Sequence, residues 1–149
     1  MNPSHTRRRL LQAGLAFCGA ALLPTARACE FFCTSLRIEH PWTRASAPGA
    51  STARVCMTFD EVLRTDRLIH VETPVAAAAE MGGPQRTGTA INFVIPEGQE
   101  SELTEEGVHI LLTGLRHPLE EAREYPLTLV FEHAGRVEVR LSVDYAHMG

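Results

Sequence analysis

The chain contains no lysine: all 14 of its basic residues are arginine. Aromatic residues make up only 6% of its 149 positions, with a single tryptophan. The longest apolar run, Ala13 to Leu23, falls short of the roughly 20 residues that a bilayer-spanning helix needs. A nucleophile motif, a His-x-x-x-His zinc pair and a glycine-rich phosphate loop are all missing, so no enzyme is expected. The acid pairs Glu105-Glu106 and Glu120-Glu121 lie in turn-like stretches and read as solvated surface. With 44% hydrophobic and 21% charged residues, the rest is the composition of one folded domain.

The N-terminus has a separate character. Thr6-Arg7-Arg8-Arg9-Leu10-Leu11-Gln12 opens onto the apolar run, and Ala26-Arg27-Ala28 forms a small-x-small cleavage site. Residues 1–28 are therefore expected to be a signal peptide. Their order resembles a twin-arginine export signal, which carries folded proteins, although an arginine-rich secretory signal fits the same residues. Cys29 becomes the first mature residue and the protein is expected in the periplasm. A lipid anchor on Cys29 fits poorly, because Arg27 intrudes where a lipoprotein box carries small and apolar residues. Residues 29–149 then hold ten arginines against all 18 acids, a formal charge of −8. That excess repels phosphate backbones and anionic lipid, which excludes nucleic-acid binding.

Within 29–149 the apolar positions recur at every second residue over short runs. Ala53, Val55, Met57 and Phe59 alternate with polar neighbours, as do Leu127, Leu129 and Phe131, and Val137, Val139, Leu141 and Val143. Leu36-Arg37-Ile38-Glu39 is expected to stop at Pro41, and residues 108–112 read as a buried strand. Glu132-His133-Ala134-Gly135 reads as a hairpin turn, with Gly135 free to take positive φ. Val75 to Met81 has helix-forming composition but spans only about two turns, and Leu119 to Glu124 suits one more. Period-two patterning with regular turn signals predicts an all-β sandwich or barrel.

Three blocks in order resemble the PCu(A)C-type periplasmic copper chaperones. They are Leu36 to Ala45 with Ala47-Pro48-Gly49-Ala50; Gly107-Val108-His109-Ile110-Leu111-Leu112-Thr113-Gly114-Leu115 with Pro118-Leu119; and Tyr125 to Glu132 with Gly135 and Val137. The resemblance implies a cupredoxin-like Greek-key β-sandwich that carries Cu(I) toward the copper centre of a respiratory oxidase. It implies a metal site of two histidines and two methionines, including a strand His-x-Met. Here His109 keeps its place, Leu111 stands where the second methionine belongs, and Gly82 stands where the other histidine belongs.

Candidate copper ligands are therefore His109 first, with Met81 as a neighbouring thioether that Gly82 and Gly83 could re-aim. Cys29, Cys33 and Cys56 offer either a disulfide with one thiol left over or a thiolate site, and His147-Met148 a terminal pair. Cys56 alternates out of phase with Val55 and Met57 and so faces the other side of its strand. Met57 and Trp42 read as core residues. Two functions follow: a monomeric Cu(I) carrier with a protein recipient, such as a respiratory oxidase subunit, or a metal-free sandwich acting as an interaction or assembly module.

Overall fold

A computed structural model describes residues 30–85 and 89–145. Ten strands follow one another: β1 (Glu30–Phe32), β2 (Arg37–Arg44), β3 (Thr52–Asp60), β4 (Asp66–Glu72), β5 (Ala76–Gly82), β6 (Phe93–Ile95), β7 (Ser101–Leu103), β8 (His109–Leu115), β9 (Glu124–Phe131) and β10 (Gly135–Asp144). The described residues hold no helix. Strand order is β5-β8-β3-β2-β10-β9-β4-β6, with β1 added to β2 and β7 added to β3. All neighbours run antiparallel except β2 and β10, where Ser142, Val143 and Asp144 lie parallel to Trp42, Thr43 and Arg44.

The sheet curls on itself. β4 and β5 lie toward opposite ends of the strand order yet touch, being joined by a short turn. Alternation then sends one face of each strand inward. Ile38, Val55, Phe59, Leu68, Ile110, Leu112, Leu129 and Leu141 are wholly enclosed. Phe59 of β3 meets Phe131 of β9 edge-on with ring centroids 6.0 Å apart, although these strands are not neighbours in the sheet.

Three local expectations need correction. The alanine run from Val75 to Met81 forms β5, because pairing with β8 over Ala76 to Gly82 outweighs alanine's helix preference. Residues 119–123 form a turn rather than a helical one, and Glu124 already opens β9. β2 continues through Pro41, since a bulge between Glu39 and Trp42 absorbs the irregularity, with His40 at φ 45°. The hairpin turn behaves as read, with Gly135 at φ 77°.

At the β1 end, Arg37 reaches Asp60 with both Nε and Nη2, and Glu39 with Nη2 at 2.9 Å. The hydrogen bonds and charge of Arg37 hold the Asp60 carboxyl below its ordinary range. A lowered folded-state value means stabilisation that is present at neutral pH and lost as acid titrates the carboxyl. Urea midpoints should therefore fall between pH 7 and pH 3 by more in the wild type than in Asp60→Asn. Equal falls would remove Asp60 from the acid response.

Candidate metal centre

His109 opens β8 opposite Gly82 of β5. Its side chain is enclosed, with the residue only 5% exposed, and two glycines make room for it. A Cβ on Gly82 would sit 2.4 Å from His109 Nε2 and 2.8 Å from Cδ2, so the imidazole occupies the space that a side chain at 82 would need. A Cβ on Gly83, at φ 117°, would meet the Gly107 carbonyl oxygen at the same short 2.4 Å. The Gly82-Gly83 pair thus seats both the ring and the loop that precedes it.

The ring is oriented from its other side. His109 Nδ1 lies 3.0 Å from the Gly107 oxygen, which can only accept, so Nδ1 carries the proton. Nε2 is then the atom with the free lone pair. It has no hydrogen-bond partner among the described residues, and since no wholly buried side-chain nitrogen or oxygen among them lacks one, Nε2 keeps some exposure, with His109 lining the adjoining cleft. That cleft measures about 630 Å³ and is walled by Thr52, Arg54, Gly82, Gly83, Glu105, Glu106 and Leu111 with His109.

The loop of residues 104–108 forms its rim. Arg44 of β2 holds Glu105 with two hydrogen bonds, Nε to Oε2 at 2.6 Å and Nη2 to Oε1 at 2.8 Å. This pairing raises the Arg44 pKa above its ordinary value. Arg54 donates to the Glu105 backbone oxygen at 3.0 Å. Glu105 is thus a half-buried, paired residue and not the solvated one expected. Its partner lies 61 positions away, too far for any local pattern to signal the pair.

The sulfurs lie elsewhere. Met81 pairs with Ile110, one step along from the Gly82–His109 pair, so it faces the core while His109 faces the cleft. It is 1% exposed. β5 runs straight through Gly82, and the re-aiming expected of the glycines does not occur. Cys56 does face away from the core residues Val55 and Met57, as its phase indicated. Arg54 pairs with Leu111, so Cys56 shares the outer face with Leu111 and His109. It is enclosed there beside Trp42, and burial, reinforced by the charge of Glu105, pushes its thiol up to about 12. Cys33 lies by the β1–β2 turn, its Sγ donating to the Leu36 oxygen at 3.4 Å, and burial raises its thiol too. Cys33 and Cys56 are both free and are not brought together. Cys29, His147 and Met148 lie outside the described residues.

Met57 is a core residue as expected, whereas Trp42 is only half-buried. It stacks on His40 at 6.4 Å, and the Arg44 guanidinium lies 5.9 Å from its ring. No group of three or more His, Cys, Asp or Glu that could hold a metal occurs among the described residues. No helix among them is long and apolar enough to cross a membrane.

Comparison with known proteins supplies the context. The profile of the LpqE-like family, described as candidate lipoproteins, matches residues 36–143. Among solved structures, the copper-bound PCuAC domain from PmoF2 is 26% identical, covering 78% of this chain and 98% of its own with a TM-score of 0.71. The apo PCuAC domain from PmoF1 is 27% identical, covering 78% and 99%, with a TM-score of 0.72. The Cu(I) form of DR1885 from Deinococcus radiodurans has the same fold at 20% identity, covering 77% and 80%, with a TM-score of 0.61. No curated protein matches the chain.

Proposed function

The chain belongs to the LpqE-like family, and from that membership we propose that it is an exported copper-handling protein that takes Cu(I) at His109 and passes it to a protein recipient. The likeness to copper-bound and apo PCuAC domains supports the copper reading. The observation that carries it is the His109 ring itself, with Nδ1–H committed to a backbone carbonyl and Nε2 left open to a cleft. Metal-binding histidines share this arrangement, in which the outer hydrogen bond fixes the tautomer and aims the lone pair.

The donor set fits a cargo site and not a closed cage. Imidazole suits copper, and the carboxylates of Glu105 and Glu106 at the rim are weaker partners for a soft cuprous ion. A single strong donor in an open cleft favours delivery over storage. Cys56 on the same outer face, and Cys29, Cys33, His147 and Met148, stay as candidate auxiliary donors. We assign residues 1–28 as the export signal, of twin-arginine type, delivering a monomer to the periplasm. The recipient we favour is the copper centre of a respiratory oxidase, and the role is transfer without catalysis.

Titration of reduced protein with Cu(I) against a competing chelator tests this. One equivalent bound more tightly than by a weak chelator is expected, and no such binding overturns the reading. A second reading, a metal-free interaction module, is favoured by Met81 facing the core and by Leu111 walling the cleft. Recovery of the same periplasmic partner with and without copper would select it.

A further inference from the structure

We propose that Arg44 and Glu105 are positioning residues for the His109 imidazole, acting through the loop of residues 104–108. The inference deepens the copper reading and rests on it only for its affinity readout. A continuous set of contacts runs from β2 to the ring. Arg44 grips the Glu105 carboxylate with two parallel hydrogen bonds, a geometry that fixes orientation as well as charge. The face of Trp42 steadies the same guanidinium.

Arg54 fixes the Glu105 backbone from β3. Within the loop, Gly107 N donates to Thr104 Oγ1 at 3.0 Å and Thr104 N donates to the Val108 oxygen at 2.9 Å. The Gly107 carbonyl is thereby pressed against Gly83 and turned to accept from His109 Nδ1. The nitrogen that a histidine protonates follows the hydrogen bond offered to the other one. The ion pair on β2 therefore determines which nitrogen of His109 keeps its lone pair, and holds that lone pair toward the cleft.

β7 pairs with β3 only up to Leu103, opposite Met57, and β8 resumes pairing with β3 at Ile110, opposite Val55. Six residues, 104–109, thus stand opposite Cys56 of β3 without pairing to it, and the bulge needs an anchor to present one carbonyl in one direction.

The test is nitrogen NMR of 15N-histidine-labelled protein at mildly alkaline pH, where ring nitrogens report the tautomer directly. Wild-type His109 is expected as the Nδ1–H form alone. Arg44→Gln and Glu105→Gln should each show a mixture of the two tautomers, with about tenfold weaker binding of Cu(I) alone, at the lower end of such outer-contact losses. Arg44→Lys, which keeps the charge and loses the two-pronged grip, should fall between. Asp60→Asn cuts a comparable two-pronged pair at the β1 end and should leave the tautomer unchanged.

A pure Nδ1–H form in both Arg44→Gln and Glu105→Gln overturns the proposal, as does a mixture in the wild type. Should Arg44→Gln fail to fold, Glu105→Gln, nearly identical in shape, decides alone. Wild-type protein that ignores Cu(I) sinks the copper reading, while the tautomer ratio still decides the positioning role.

Discussion

His109→Ala is expected to abolish competitive Cu(I) binding, a loss of 100-fold or more. Contacts that merely orient a metal-binding histidine are worth about 10–100-fold, so removing the ligand itself exceeds that range. The structure makes this variant interpretable, because among the described residues the ring's only hydrogen bond is to the Gly107 oxygen. Its removal leaves one backbone acceptor beside the cleft, where water can replace the lost donor, so the lost hydrogen bond itself costs only about 1 kcal/mol. Met81→Leu is the matched contrast. Met81 faces the core opposite Ile110, and a volume-conserving exchange should leave copper affinity within twofold. Competitive titration of both variants reads the two outcomes together. Intact binding in His109→Ala, or a collapse in Met81→Leu, would place the copper on a different set of atoms.

Asp66→Ala is expected to give the largest loss of stability of any single change at a polar residue. Asp66 opens β4, is 2% exposed and carries a carboxylate. Oδ1 accepts from the backbone nitrogens of Arg67 at 2.8 Å and His133 at 2.9 Å, and Oδ2 accepts from Ala134 at 2.9 Å. The side chain therefore ties the β9–β10 turn to the start of β4. Alanine orphans three N–H groups at once. Each unpaired group costs about 1–3 kcal/mol when fully buried, and because these three are only part-buried the total stays near 3–5 kcal/mol. For a domain of this size that lowers the melting temperature by about 10–20 °C. Asp66→Asn should lie between, because the amide supplies one acceptor and turns a donor toward one of the three N–H groups. Calorimetry of the three proteins orders them. A change under 1 kcal/mol in Asp66→Ala would mean that the turn is held by the strands alone.

The strands were legible wherever hydrophobicity alternated, as along Ala53, Val55, Met57 and Phe59 and along Val137 to Val143. β5 was not, because four alanines in a row carry no period and favour a helix in isolation. Only the partner strand β8, about 30 residues away, makes that segment extended. Pro41 misled in the same way, since a bulge lets a strand tolerate what the local rule forbids. At the site, the proposal for His109 rests on its place in a block, and the out-of-phase position of Cys56 was readable from neighbours alone. The fit of the ring over Gly82, the stacking of Gly107 on Gly83 and the Arg44–Glu105 grip each join residues remote in sequence. Such pairs are set by register, which a single sequence does not encode locally.

The parallel pairing of β2 with β10 has a consequence for how the chain acquires its shape. The third position of that pair joins Arg44 to Asp144, a separation of 100 residues, and it links the β5-β8-β3 side of the sheet to the β9-β4-β6 side. Ribosomal synthesis must therefore deliver β10, the last of the ten strands, before the first half can be closed. Loop closure over so long a span is entropically slow, which places folding in the millisecond-to-second regime of high-contact-order β proteins. Until that moment the two halves share no strand pairing, and a nascent chain cut short before β10 cannot join them into one sheet.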